Sequence, residues 1–188
     1  MDYEILAFSN QATFRAWLTE HGSNTEGVWL KIYKKGSNVP TISYAEALDE
    51  ALCFGWIDGQ VKKFDEQAYL QKFTPRRKKS MWSKQNIEHV ARLTEAGLMM
   101  SAGVAEVERA QADGRWQAAY DKPSEMTAPQ DFLAALQKHP KAYEFYKTLN
   151  KTNTFAIAWR LQTAKTEETR LRRQEKIIAL LEAGQKLQ

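Results

Sequence analysis

The sequence contains one cysteine, Cys53. A single thiol excludes a disulfide framework and any cysteine-built structural zinc site. Five prolines and nine glycines in 188 residues leave no Gly-X-Y repeat and no low-complexity tract. No apolar run approaches the roughly 20 residues that span a bilayer. The start, Met1-Asp2-Tyr3-Glu4, is acidic where a secretory leader is basic, so the expected location is the cytoplasm. Walker A, GxGxxG, GxSxG, HExxH, RNP and zinc-finger patterns are all missing. His21, His89 and His139 are far apart and match no metal motif. No metal or cofactor is expected, and no catalytic motif identifies an enzyme.

What is present suffices for a folded protein. Apolar residues make up 43% of the chain and charged residues 27%. A chain of this length buries roughly 70% of its unfolded surface and needs no staples. The net charge of +4 is unevenly distributed. Residues 62–92 hold nine Lys/Arg against three Asp/Glu, a net of +6. Residues 1–61 carry −4 and residues 93–188 carry +2. The positive excess therefore belongs to one short segment, which suits an anionic partner.

The patterning predicts an α+β fold. Phe14, Trp17, Leu18 and His21 recur at helical spacing, with Gly22 placed to close the helix in a left-handed conformation. Residues 27–34 alternate as a strand, with Trp29 and Tyr33 on one face. Ser43 and Glu46 form a capping box that opens a helix stopped near Gly55. Two β-like runs, 56–64 and 68–74, are joined by Asp65-Glu66-Gln67 as a hairpin. These elements predict a small antiparallel sheet with helices. The second half reads as helices near 84–96, 99–112, 130–138, 141–149, 153–164 and 167–183. Thr166 is a good N-cap for the last, with Leu171, Gln174, Ile178 and Leu181 as its stripe. The expected division is an α+β part over 1–83 and a helical part over 84–188; one compact unit is the alternative. Trp17, Trp29, Trp56 and Trp159 are expected in the core.

The chemistry is concentrated in Leu52-Cys53-Phe54-Gly55-Trp56-Ile57-Asp58 and in Phe73-Thr74-Pro75-Arg76-Arg77-Lys78-Lys79-Ser80-Met81-Trp82-Ser83-Lys84-Gln85-Asn86. Four consecutive cations stand beside a tryptophan, two serines and an asparagine. Arginine forks suit phosphate or carboxylate, and Trp82 is placed to stack on a planar ligand or on an arginine. The helix start after Ser83 presents N–H groups in the same stretch. A solvated basic loop that caps a helix explains the pattern equally well. Asp58 reads first as the partner of Arg76 or Arg77 and second as a general base. Cys53 reads as an inert core thiol.

Ala51-Leu52-Cys53-Phe54-Gly55-Trp56-Ile57-Asp58, Phe73-Thr74-Pro75-Arg76-Arg77 and Ser80-Met81-Trp82-Ser83 with Asn86 resemble the YdeI/OmpD-associated family. Phe14-Arg15-Ala16-Trp17-Leu18, Gly114-Arg115-Trp116 and Ala164-Lys165-Thr166-Glu167-Glu168-Thr169-Arg170 extend the resemblance over nearly the whole chain. It implies a link to bacteriocin protection, resistance to antimicrobial peptides and association with an outer-membrane porin. It brings no established catalytic mechanism.

The expected function is thus a stress- or resistance-associated protein that binds an anionic ligand. The candidate ligand-binding residues are Trp56, Asp58, Arg76, Arg77, Ser80, Trp82, Ser83 and Asn86. The other readings are nucleic-acid binding through residues 62–92, an enzyme with Asp58 as base, and an interaction module for an envelope protein.

Overall fold

A computed structural model describes residues 3–23, 26–122, 125–164 and 166–187. The elements run β1 (Ile5–Leu6), α1 (Gln11–His21), β2 (Val28–Tyr33), α2 (Tyr44–Cys53), β3 (Trp56–Lys63), β4 (Ala68–Pro75), α3 (Lys84–Glu95) and α4 (Ser101–Ala112). Then follow α5 (Gln130–Leu136), α6 (Pro140–Lys147), α7 (Lys151–Gln162) and α8 (Glu167–Glu182). They fall into two compact units. The first comprises residues 1–82 and 86–118, the second residues 83–85 and 119–188. The fold is α+β, as expected.

The first unit is built on a four-stranded sheet in the order β1-β2-β4-β3. The strands β2, β4 and β3 pair antiparallel, while β1 joins β2 in parallel and makes the sheet mixed. Two residues are too short to show a strand period, so β1 has no signal in the sequence. Asp65 closes the β3–β4 hairpin, its Oδ1 accepting from the N–H groups of Gln67 and Ala68 at 2.7 Å each. The register slips between Asp58 and Val61, a bulge around Gly59 and Gln60. One sheet face carries Leu30, Ile32 and Phe73, all buried. Helix α1 packs there, with Phe14 6.0 Å from Phe73 and Trp17 edge-on to Trp56 at 6.1 Å.

The helix ends follow local chemistry. Asn10 caps α1 and Ser43 caps α2, the latter with Glu46 in the expected capping box. Gly22 does not close α1 in a left-handed conformation: its φ is −61°. Its N–H still donates to the Leu18 carbonyl, and its own carbonyl accepts from the Trp56 indole at 3.2 Å, which holds the chain in a helical turn. Gly55 does take the left-handed form, at φ +75°, where the chain turns from α2 into β3. Gly103 of α4 serves close approach instead, since a Cβ there would lie 2.2 Å from the Cys53 carbonyl oxygen.

A buried carboxylate ties α1 to α2. Glu50 is 2% exposed. It accepts from Arg15 at 2.8 Å and from the Gln11 amide at 2.7 Å. The second Arg15 nitrogen donates to the Leu98 carbonyl at 2.8 Å. Asp49, one residue away, binds His89 and Arg92 of α3.

The second unit is helical. Phe132, Leu136, Ala142, Ile157, Leu161, Ile177 and Leu181 form its core. Thr166 caps α8 as expected. The α8 stripe differs: Leu171 is exposed, and Ile177 is buried beside Ile178 and Leu181. Residues 174, 178 and 181 share a face with 177, and Leu171 lies a turn before this core begins. Trp159, expected in the core, is 37% exposed and stands edge-on to Tyr120. No helix of the described residues is long and apolar enough to cross a membrane.

Candidate functional site

The basic motif is organised around the backbone of residues 80–82. Strand β4 ends at Pro75, and the Arg76 N–H donates to the Gly55 carbonyl at 3.0 Å. This bond fixes where the arginine leaves the sheet. The Arg76 side chain is 5% exposed, lies 3.5 Å from the Trp82 ring centroid and donates to the Met81 carbonyl at 3.2 Å. Arg115 reaches the same segment and donates to the Ser80 carbonyl at 2.8 Å, while its Nε holds Asp113. Trp116 packs on Trp82 with ring centroids 4.9 Å apart. Two arginines and Trp116 thus clamp three consecutive residues, 80–82.

Of the two stacking partners weighed for Trp82, the structure has the arginine. Trp82 is 1% exposed, and its indole N–H is buried without an acceptor among the described residues. Ser80 closes the turn from Arg77: its Oγ accepts from the Arg77 N–H at 3.0 Å, and its N–H donates to the Arg77 carbonyl at 2.8 Å. Between them Arg77, Lys78 and Lys79 are exposed. Among the described residues none pairs with these three side chains.

The remaining candidates lie elsewhere. Trp56 is a core residue, 1% exposed, bonded to Gly22 and packed on Trp17. Asp58 sits on β3 and accepts from the Tyr44 hydroxyl at 2.9 Å. Asn86 is buried in the first turn of α3. Ser83 belongs to the second unit, where it is buried and bridges to Tyr120. The sequence reading missed Tyr44 as the partner of Asp58. It also missed the role of Arg115, although Gly114-Arg115-Trp116 stood out as an element. Nothing in linear spacing connects positions 35 residues apart.

Cys53 is fully buried at the end of α2. Burial, and then the Glu50 charge, push its thiol pKa up to about 11. Thiolate is the reactive form, so the thiol is inert near neutrality. Iodoacetamide at pH 8 should leave the native protein unmodified over hours and label it promptly in denaturant. Rapid alkylation of native protein, followed by mass spectrometry, would contradict the burial of this thiol.

Comparison with known proteins divides the chain. No curated protein and no solved structure matches it. Residues 125–184 match the family described as Bacteriocin-protection, YdeI or OmpD-Associated. That match covers α5 to α8, whereas the clamp and its basic turn lie in the other unit. Residues 6–106, which hold the motif from Ala51 to Asn86, match a Domain of unknown function (DUF8412). Because the second match takes in more than half of the residues, the chain belongs to the DUF8412 family and carries in its C-terminal part a match to the YdeI/OmpD-associated family.

Proposed function

We propose that this protein binds an anionic small molecule through the turn of residues 77–80. One observation supports the reading most: Arg77, Lys78 and Lys79 are exposed side by side on a turn whose backbone is clamped from beneath. Cations that stabilised the fold would have acceptors within reach, as Arg15 and Arg92 do. Three cations without acceptors repel one another, and an anion between them relieves that repulsion. The clamp contributes by preorganisation, since a rigid turn loses little entropy on binding. Arg76 contributes charge from below and holds the turn; the ligand would be met by Arg77, Lys78 and Lys79. The bacteriocin-protection wording of the matched family suits a role in stress or antimicrobial resistance.

The test is calorimetric titration of inorganic phosphate, ATP and glucose 6-phosphate into wild type and an Arg77→Gln/Lys78→Gln/Lys79→Gln variant. All three positions are exposed, so the variant should melt as wild type does. Wild type should bind at least one phosphate ester, and the variant should bind it at least about tenfold more weakly, a difference of about 1.4 kcal/mol. Equal affinity in the two proteins, or no binding by wild type, refutes the reading.

A further inference from the structure

The second face of the sheet has an unusual composition. It carries Tyr3 and Ile5 from the edge, Trp29, Lys31 and Tyr33 from β2, Leu70 and Lys72 from β4, and Lys62 from β3. The helix α1 and the Tyr44 hydroxyl of α2 reach the sheet through Phe73, Trp56 and Asp58, all on the opposite face. Among the described residues lysines cover the aromatic rings here, and Trp29, expected in the core, is 7% exposed beneath them. The Lys62 ammonium lies 4.4 Å from the Trp29 ring centroid. Lys72 lies 3.9 Å from Tyr3 and 5.9 Å from Trp29. Lys31 lies 4.8 Å from Tyr33 and 4.3 Å from Phe64 at the hairpin end. Asp65 is the acidic group paired here, 3.7 Å from Lys31. Lysine ammoniums and aromatic rings thus converge on one sheet face.

We infer that this face binds single-stranded nucleic acid, with bases on Trp29 and Tyr33 and phosphates on Lys62, Lys72 and Lys31. The surface is distinct from the turn of residues 77–80 and does not depend on it. Charge complementarity selects a polyanion, and the aromatic rings select a polyanion with flat apolar groups. Each lysine is flexible and needs only to rotate away from its ring. A base then takes the ring face, and the released ammonium meets the phosphate that the base brings with it. Stacking of a base on an aromatic ring exceeds the cation–π interaction of an exposed lysine, so the exchange favours binding. Duplex DNA hides its base faces and offers this surface only phosphates.

The test uses fluorescence anisotropy with labelled oligo(dT) and oligo(rU) of about 12 nucleotides, a length within the site size of sheet-type binders. A duplex of equal length and heparin are the competing probes. Wild type should bind the single strands at least about tenfold more tightly than the duplex. Lys62→Gln/Lys72→Gln should flatten the log–log salt dependence by roughly 0.7 for each phosphate that the variant no longer neutralises. Tyr33→Leu, at a half-buried position, should weaken binding severalfold without changing that slope. Circular dichroism and melting confirm that both variants are folded. The Arg77→Gln/Lys78→Gln/Lys79→Gln variant should retain oligonucleotide binding. Equal or tighter binding of duplex or heparin overturns the inference. So does unaltered binding by Lys62→Gln/Lys72→Gln, or loss of binding in the 77–79 variant alone.

Discussion

Arg15→Leu is expected to destabilise the first unit by about 3–5 kcal/mol, the usual cost of leaving a buried charge without its partner. Glu50 is nearly inaccessible, and Arg15 neutralises it at 2.8 Å. Leucine fills similar volume but leaves the carboxylate with the Gln11 amide as its donor. The same change also removes the donor to the Leu98 carbonyl and the cation 5.6 Å above Phe54. Urea denaturation followed by tryptophan fluorescence reads the first unit, which holds five of the six tryptophans. Arg15→Leu/Glu50→Leu should recover more than half of the loss, because an apolar pair often replaces a buried ion pair at little cost. If Arg15→Leu unfolds at the wild-type midpoint, Glu50 has found water and this account of the α1–α2 junction fails. If the double variant is no better than the single, the destabilisation comes from impaired packing and not from the unpaired charge.

Arg15 and Glu50 also show where reading the sequence stops. The helix at 11–21, the capping box at Ser43 and the β3–β4 hairpin are local, and local chemistry specifies them. The pairing of positions 15 and 50 depends on how two helices cross, which no periodicity encodes. The same holds at the candidate site. The density of cations and the adjacent tryptophan mark residues 76–82 in the linear sequence. Their division into a buried arginine and three exposed neighbours follows from the position where β4 ends. Arg76 continues the strand direction and is drawn in by the Gly55 carbonyl; Arg77 begins the turn and points outward. Asp58 had two nearby arginines as candidate partners, yet it meets Tyr44 because the sheet register and the start of α2 bring the two together. The sheet face with its lysine-covered rings was half visible. Alternation placed Trp29 and Tyr33 on one side, but only the β2–β4 register adds Lys72, and only the bulge in β3 sets Lys62 beside Trp29.

Trp82→Ala is expected to lower the melting temperature of the first unit by roughly 10–20 °C, the consequence of removing a buried indole at about 3–5 kcal/mol in a unit of this size. The ring is 1% exposed, with Arg76 on one side and Trp116 packed against it. Alanine leaves a cavity between the two and takes away the surface on which the guanidinium lies. The turn above should loosen, so trypsin should cut after Arg77, Lys78 or Lys79 much faster than in wild type at temperatures where the rest of the unit is folded. Trp82→Phe separates the ring from its N–H. Phenylalanine keeps an aromatic face for Arg76 and omits a donor that meets no acceptor among the described residues, so it should cost less than about 1.5 kcal/mol. A Trp82→Phe variant as unstable as Trp82→Ala would mean that the indole N–H, and not the ring, holds this segment. The clamp would then be organised by whatever accepts that hydrogen bond, and Arg76 would lose its place as the residue that carries the turn.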